Sequence, residues 1–131
     1  MKNIYMVLIL FPVLMLSGCN PDSPVSVLFS PPNVSIVSNQ EVDATSSSFA
    51  QFKVTVQNDG GGATAYNVGC TIKLKNGNYI VESETGFFGT LQSGESTSDA
   101  VWFTNIKTKS DYQSSEIQLY WWDSQGDYYQ N

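Results

Sequence analysis

From Gln51 to Gln57 the chain alternates strictly. Phe52, Val54 and Val56 stand between Gln51, Lys53, Thr55 and Gln57. A period of two sets the apolar residues on one side of an extended chain, the pattern of a half-buried strand. Asn58-Asp59-Gly60-Gly61-Gly62 then breaks the run with turn residues. The period returns at Val68, Cys70, Ile72 and Leu74, set against Gly69, Thr71, Lys73 and Lys75. Asn76-Gly77 follows, a strong hairpin signal, with residues 79–81 starting the return strand. Residues 87–91 form a short apolar piece before the turn Gln92-Ser93-Gly94-Glu95. Val101 and Phe103 alternate with Trp102 and Thr104, and Ile117, Leu119 and Trp121 alternate with Gln118, Tyr120 and Trp122. Asp123-Ser124-Gln125-Gly126-Asp127 turns the chain into a short last strand, residues 128–130.

No stretch after residue 32 carries a helical period with caps. Six to eight short strands with frequent turns predict an all-β protein, an antiparallel immunoglobulin-like β-sandwich. Its expected core is Phe52, Val54, Val56, Val68, Cys70, Ile72, Leu74, Leu91, Val101, Phe103, Ile117, Leu119 and Trp121. Cys70 reads as a small buried hydrophobe with an inert thiol.

The first residues follow another pattern. After Lys2, residues 4–16 are apolar except for Pro12. The run is too short for a transmembrane helix, which needs about 20 apolar residues. It fits the hydrophobic region of a secretory signal. It ends in Leu16-Ser17-Gly18-Cys19, where small residues let the backbone lie extended in a peptidase groove. These four residues resemble the lipobox of bacterial lipoproteins. The resemblance implies cleavage before Cys19, diacylation of its sulfur, and often acylation of the new amino terminus. Two or three acyl chains anchor a protein stably where one does not. The alternative is an ordinary secreted protein with Cys19 unmodified or paired with Cys70.

The expected organisation is therefore a signal peptide over residues 1–18, a lipidated cysteine and tether over 19–32, and the sandwich over 33–131. Pro21, Pro24, Pro31 and Pro32 keep the tether extended. The apolar stretch 25–29 is the alternative, a first edge strand. The expected location is the bacterial cell envelope, with the lipid anchor holding the chain to a membrane. In Gram-negative lipoproteins an aspartate after the cysteine tends to mean inner-membrane retention. Asn20 stands there instead and leans toward the outer membrane. In a Gram-positive cell the location would be the cell surface.

Composition narrows the chemistry. The 131 residues include 41% hydrophobic ones, enough for one core. The net charge is −6, and all six basic residues are lysines. Loss of Lys2 with the signal makes it 5 − 12 = −7. An acidic chain without arginine or a basic cluster is not expected to bind nucleic acid. The absence of histidine removes histidine-dependent nucleophilic and acid–base catalysis and histidine zinc sites. Two cysteines make neither a four-thiolate site nor a disulfide framework.

The stretch from Phe52 to Ser96 resembles the bacterial immunoglobulin-like domains of the CARDB and FxLYD type. The matching positions are Asn58 and Gly60, then Ala65, Tyr66, Asn67 and Val68, and later Gly89, Leu91, Gly94 and Glu95. The resemblance covers roughly residues 33–123 and implies a fold far more than an activity. In it Gly60 is expected to supply positive φ in its turn, and Asn67 to bond neighbouring backbone at a strand entrance. The last strand is shorter than in such domains, so the sheet edge beside it is expected to be open and able to recruit a strand from a partner.

Candidate functional residues lie late in the chain. Tyr120 and Trp122 point away from the expected core, with Tyr128 or Tyr129 beside them. Exposed aromatics on a sheet can anchor a protein partner or stack on sugar rings. The plain alternative is strand propensity, with the face covered by the tether or the loop 43–48. Asp123 and Asp127 supply part of a calcium loop, which lacks the later bidentate glutamate, so an ordinary turn is the competing reading. Glu82 and Glu84 share a face about 7 Å apart by strand rise. That distance suits glycoside chemistry, yet the pair reads as a solvated edge. The sequence therefore points to a lipid-anchored envelope protein without catalytic residues or cofactor, binding another envelope protein. A glycan-binding module is the alternative.

Overall fold

The computed structural model describes residues 30–42, 50–106 and 109–131. Leu16, Ser17, Gly18, Cys19, the stretch 25–29 and the whole loop 43–48 lie outside the described residues. Seven strands follow in order: β1 (Val34–Val42), β2 (Gln51–Asn58), β3 (Ala65–Asn76), β4 (Tyr79–Leu91), β5 (Ser96–Trp102), β6 (Ser114–Trp122) and β7 (Tyr128–Gln130). A 3-10 turn, Lys109–Asp111, precedes β6. Among the described residues no helix is long and apolar enough to cross a membrane.

The strands form two antiparallel sheets, β1-β2-β5 and β4-β3-β6-β7. The chain crosses between sheets at β2–β3, β4–β5 and β5–β6, giving the expected immunoglobulin-like sandwich. Apolar residues of both inner faces meet between them. Every expected core residue is buried except Ile117, which is half-buried against the rim of the core. Val34, Ala50, Ala65, Ile106 and Tyr112 join the core from strand ends and loops. Phe52 and Phe103 meet edge to face, with ring centroids 5.6 Å apart. Cys70 is free and wholly buried, and burial pushes its thiol pKa up, so it stays protonated and unreactive.

Three sequence readings, on β4, Glu82 and Gly60, need correction. Residues 79–81 and 87–91 are parts of one thirteen-residue strand, β4, paired with β3 along its length. The polar stretch Glu82-Ser83-Glu84-Thr85 hid that continuity. The second correction concerns Glu82, which is buried rather than part of a solvated edge. Its carboxylate accepts the backbone N–H of Thr104 (3.0 Å) and Asn105 (3.2 Å) and the Nδ2–H of Asn105 (3.1 Å). It thereby ties β4 to the loop after β5, joining the two sheets.

One pole of the sandwich collects the loops 59–64, 92–95 and 123–127 together with the entering chain at Ser30. Asn58 holds it. Its Oδ1 accepts the N–H of Asn33 (3.2 Å) and Gly60 (3.0 Å), and its Nδ2 donates to the carbonyls of Ala63 (2.8 Å) and Leu91 (3.0 Å). Ser93 Oγ accepts from Gly62 N–H and donates to the Gly60 carbonyl. Gly60 is needed here for close approach, not for positive φ. A Cβ would lie 2.7 Å from both Asn33 N and Pro32 Cα. The left-handed conformation falls instead on Asn67, at φ 51°, where β3 bulges between Tyr66 and Gly69.

Candidate functional site

The outer face of the four-stranded sheet carries the aromatic site. On β6 and β7 the period of two sends Tyr120, Trp122 and Tyr128 outward, opposite Leu119, Trp121 and Tyr129. Tyr120 and Trp122 meet edge to face with centroids 5.9 Å apart at 81°. Trp122 and Tyr128 do the same at 5.1 Å and 62°. Cross-strand pairing extends the set. Tyr66 lies opposite Trp122, and Phe87 lies opposite Gly69, which is itself opposite Tyr120. The Tyr120 ring lies over Gly69, where a Cβ would come within 2.4 Å of its Cζ. Burial against this surface raises the Tyr120 pKa. The result is an aromatic stripe across all four strands, with Phe87 62%, Tyr128 52% and Tyr66 38% exposed.

Tyr129 departs from the expected set. It stacks on Trp121 at 5.9 Å and 9°, toward the core, and its hydroxyl donates to Asp123 Oδ2 (3.1 Å). Trp121 in turn donates Nε1–H to the Pro32 carbonyl (3.1 Å), fixing the entering chain against the pole. Tyr66 and Phe87 were missed in the sequence. Tyr66 precedes a bulge that breaks the simple period, and Phe87 belongs to the strand read as two pieces. Only the pairing register could have placed them beside Trp122 and Tyr120.

Polar groups frame the stripe. The turn after β6 is built by Asp123, whose Oδ1 accepts the N–H of Gln125 (2.8 Å) and Asp127 (2.9 Å). These backbone bonds, Asp127 first, hold the Asp123 carboxyl below its usual pKa. Among the described residues no three His, Cys, Asp or Glu side chains are grouped to hold a metal. A cleft of about 510 Å³ lies on one side of this turn, lined by Pro31, Pro32, Tyr66, Asp127 and Tyr129. A second of about 480 Å³ lies on the other, lined by Tyr66, Asn67, Trp122 and Gln125. At the far end of the same face Lys73 and Lys75 pair with Glu116, whose pKa is lowered chiefly by its hydrogen bond from Lys75.

No family model matches the chain, and no curated protein matches it. Among solved structures it is similar to one assigned to the ApaA protein of Bordetella pertussis, at 12% identity and a TM-score of 0.46. The match covers 78% of this chain and 89% of that one. At that level of likeness the neighbour says nothing of what this chain binds.

Proposed function

We propose that the chain is a bacterial envelope lipoprotein, anchored through lipid on Cys19, whose sandwich docks another protein through its outer aromatic stripe. The observation that carries the docking is the stripe itself: Phe87, Tyr120, Trp122, Tyr128 and Tyr66 on one face, rimmed by polar groups. Contiguous apolar patches rimmed by polar residues mark interaction sites on soluble domains. The edge-to-face packing turns ring edges toward Trp122, so this is an uneven hydrophobic surface rather than a flat stacking platform. The lipobox and the tether support the anchoring. From residue 19 to residue 30 an extended chain reaches at most about 40 Å, so a lipidated Cys19 would hold the sandwich near the membrane.

Cross-linking in the native cells followed by recovery of the lipidated protein tests this. The wild type is expected to bring down a discrete protein, and Trp122→Ala to recover it about tenfold less. Equal recovery by both would remove the stripe from the binding site. Cys19→Ser is expected to leave the membrane fraction.

A second reading is favoured by the two clefts beside the Asp123–Asp127 turn, which combine tyrosine, tryptophan, amide and carboxylate groups. Their size falls in the range of small-ligand sites, and the lining suits a glycan. Retention on envelope glycan that Trp122→Ala leaves unchanged would count against it.

A further inference from the structure

The chain is clamped where it enters the sandwich. Asp59 donates its N–H to the Asn33 carbonyl (2.8 Å), and Trp121 Nε1–H holds the Pro32 carbonyl. Gly60 packs so closely that a Cβ there would lie 2.9 Å from the Pro31 carbonyl oxygen, and one on Gly61 would meet Ser30 Cβ at 3.6 Å. Two successive prolines fix their own φ and keep the residue before each of them extended. The direction in which the chain leaves Ser30 is therefore set. It leaves at the mouth of a cleft. Ser30, Pro31 and Pro32 line one side of the 510 Å³ cleft, and Ala63, Tyr66 and Tyr129 add apolar surface to its walls. Tyr129 is fixed there by its stack on Trp121 and its bond to Asp123.

The sequence supplies an occupant one peptide bond away. Residues 20–24 are Asn-Pro-Asp-Ser-Pro, polar and broken by proline. Four of the next five, Val25, Val27, Leu28 and Phe29, are apolar. A solvated tether has no use for such a run, and its removal from water is favourable. Fully extended, five residues reach at most about 18 Å from Ser30, so the run stays close to the cleft. Attachment at Ser30 gives it an effective concentration on the order of mM, so a weak intrinsic affinity suffices. A bilayer is the competing host. To enter one, the run would draw Asp22 on one side, and Asp123 and Asp127 beside the cleft on the other, toward the headgroups. Anionic lipid opposes that.

We infer that this cleft is the seat of the chain's own apolar segment, residues 25–29. Seating needs neither lipid on Cys19 nor a partner on the aromatic stripe. Of the two clefts beside the Asp123–Asp127 turn, it assigns this one to the chain itself and leaves the one at Asn67 and Trp122 for a ligand. With Cys19 lipidated, the free tether shrinks from residues 19–30 to residues 19–25, about 20 Å when extended. The sandwich is then held closer to the membrane, with its entry pole toward it.

Thiol alkylation of the Cys19→Ser chain in solution tests the seat without a membrane. Its remaining thiol, Cys70, is wholly buried. Val27→Cys and Leu28→Cys are introduced one at a time. These neighbours point to opposite sides of an extended chain, so one of them faces the wall. That thiol is expected to react at least about tenfold more slowly than the thiol of Asp22→Cys. Thr64→Trp, which fills the cleft, is expected to return it to the Asp22→Cys rate. Equal rates at all three positions would overturn the inference, and so would protection that Thr64→Trp leaves intact. In the lipidated chain on vesicles of phosphatidylethanolamine and phosphatidylglycerol, Thr64→Trp is expected to remove the protection as well. Protection there that ignores Thr64→Trp would place the segment in the bilayer and overturn the seat. Independently, Phe29→Ser is expected to raise the unfolding equilibrium constant in urea about tenfold, and no change would count against burial of the segment. Trp122→Ala is expected to leave the alkylation rates unchanged, so failure of the aromatic stripe and failure of the seat are separable.

Discussion

Asn58 is the residue on which the loop pole turns. It is wholly buried, and its side chain satisfies two backbone N–H groups and two carbonyls. Asn58→Ala leaves those groups buried without partners, which costs about 3 kcal/mol; urea unfolding should show the loss. Asp123 makes a smaller, pH-dependent contribution. Its folded pKa is depressed by the bonds from Asp127, Gln125 and Tyr129. A depressed carboxylate stabilises above its unfolded pKa, about 3.9, and that stability is lost as pH falls through the folded value. Melting temperatures followed downward from pH 5 should therefore fall more steeply for the wild type than for Asp123→Asn. Equal slopes would mean that the turn carries no such linkage.

Among the elements, β1 escapes sequence reading altogether and β4 yields to it only in part. Its ends are apolar and its middle is polar, so alternation alone divides it into two pieces. The middle is polar for two reasons that periodicity alone does not report. Ser83 and Thr85 lie on the outer face, and Glu82 points inward to bind the loop after β5. Replacing that carboxylate by Glu82→Gln keeps the shape but sets an amide NH₂ against donors. A loss of about 2 kcal/mol is expected, with faster exchange at Thr104 and Asn105 as its local signature. Strands β2, β3 and β6, by contrast, were legible almost residue by residue. Each buries one face against a core and exposes the other, and a period of two records that directly. Gly60 was placed in its turn correctly but for the wrong reason, since close approach of the entering chain leaves no local trace in sequence.

At the scale of the molecule, three of the five stripe aromatics, Tyr120, Trp122 and Tyr128, are legible in the sequence and two are not. Tyr120 and Trp122 follow from the alternation within β6, whereas Tyr66 and Phe87 reach the same face only through pairing across three strands. Charge is also arranged at this scale. Asp59, Glu95, Asp123 and Asp127 cluster at the pole where the chain enters, while Lys53, Lys73 and Lys75 lie in the opposite half beside Glu41, Glu82, Glu84 and Glu116. With a lipidated Cys19, the acidic pole would face the bilayer and be repelled by anionic headgroups, leaving the stripe on the flank free for a partner. Photo-cross-linking from single positions of the lipidated full chain, in its own cells, tests the central claim most directly. A photoreactive residue at Tyr128 or Phe87 should give a protein adduct of one discrete mass, and one at Lys53, outside the opposite sheet, should give none. The same adducts from Lys53, or none from Tyr128 and Phe87, would contradict a docking face on the aromatic stripe.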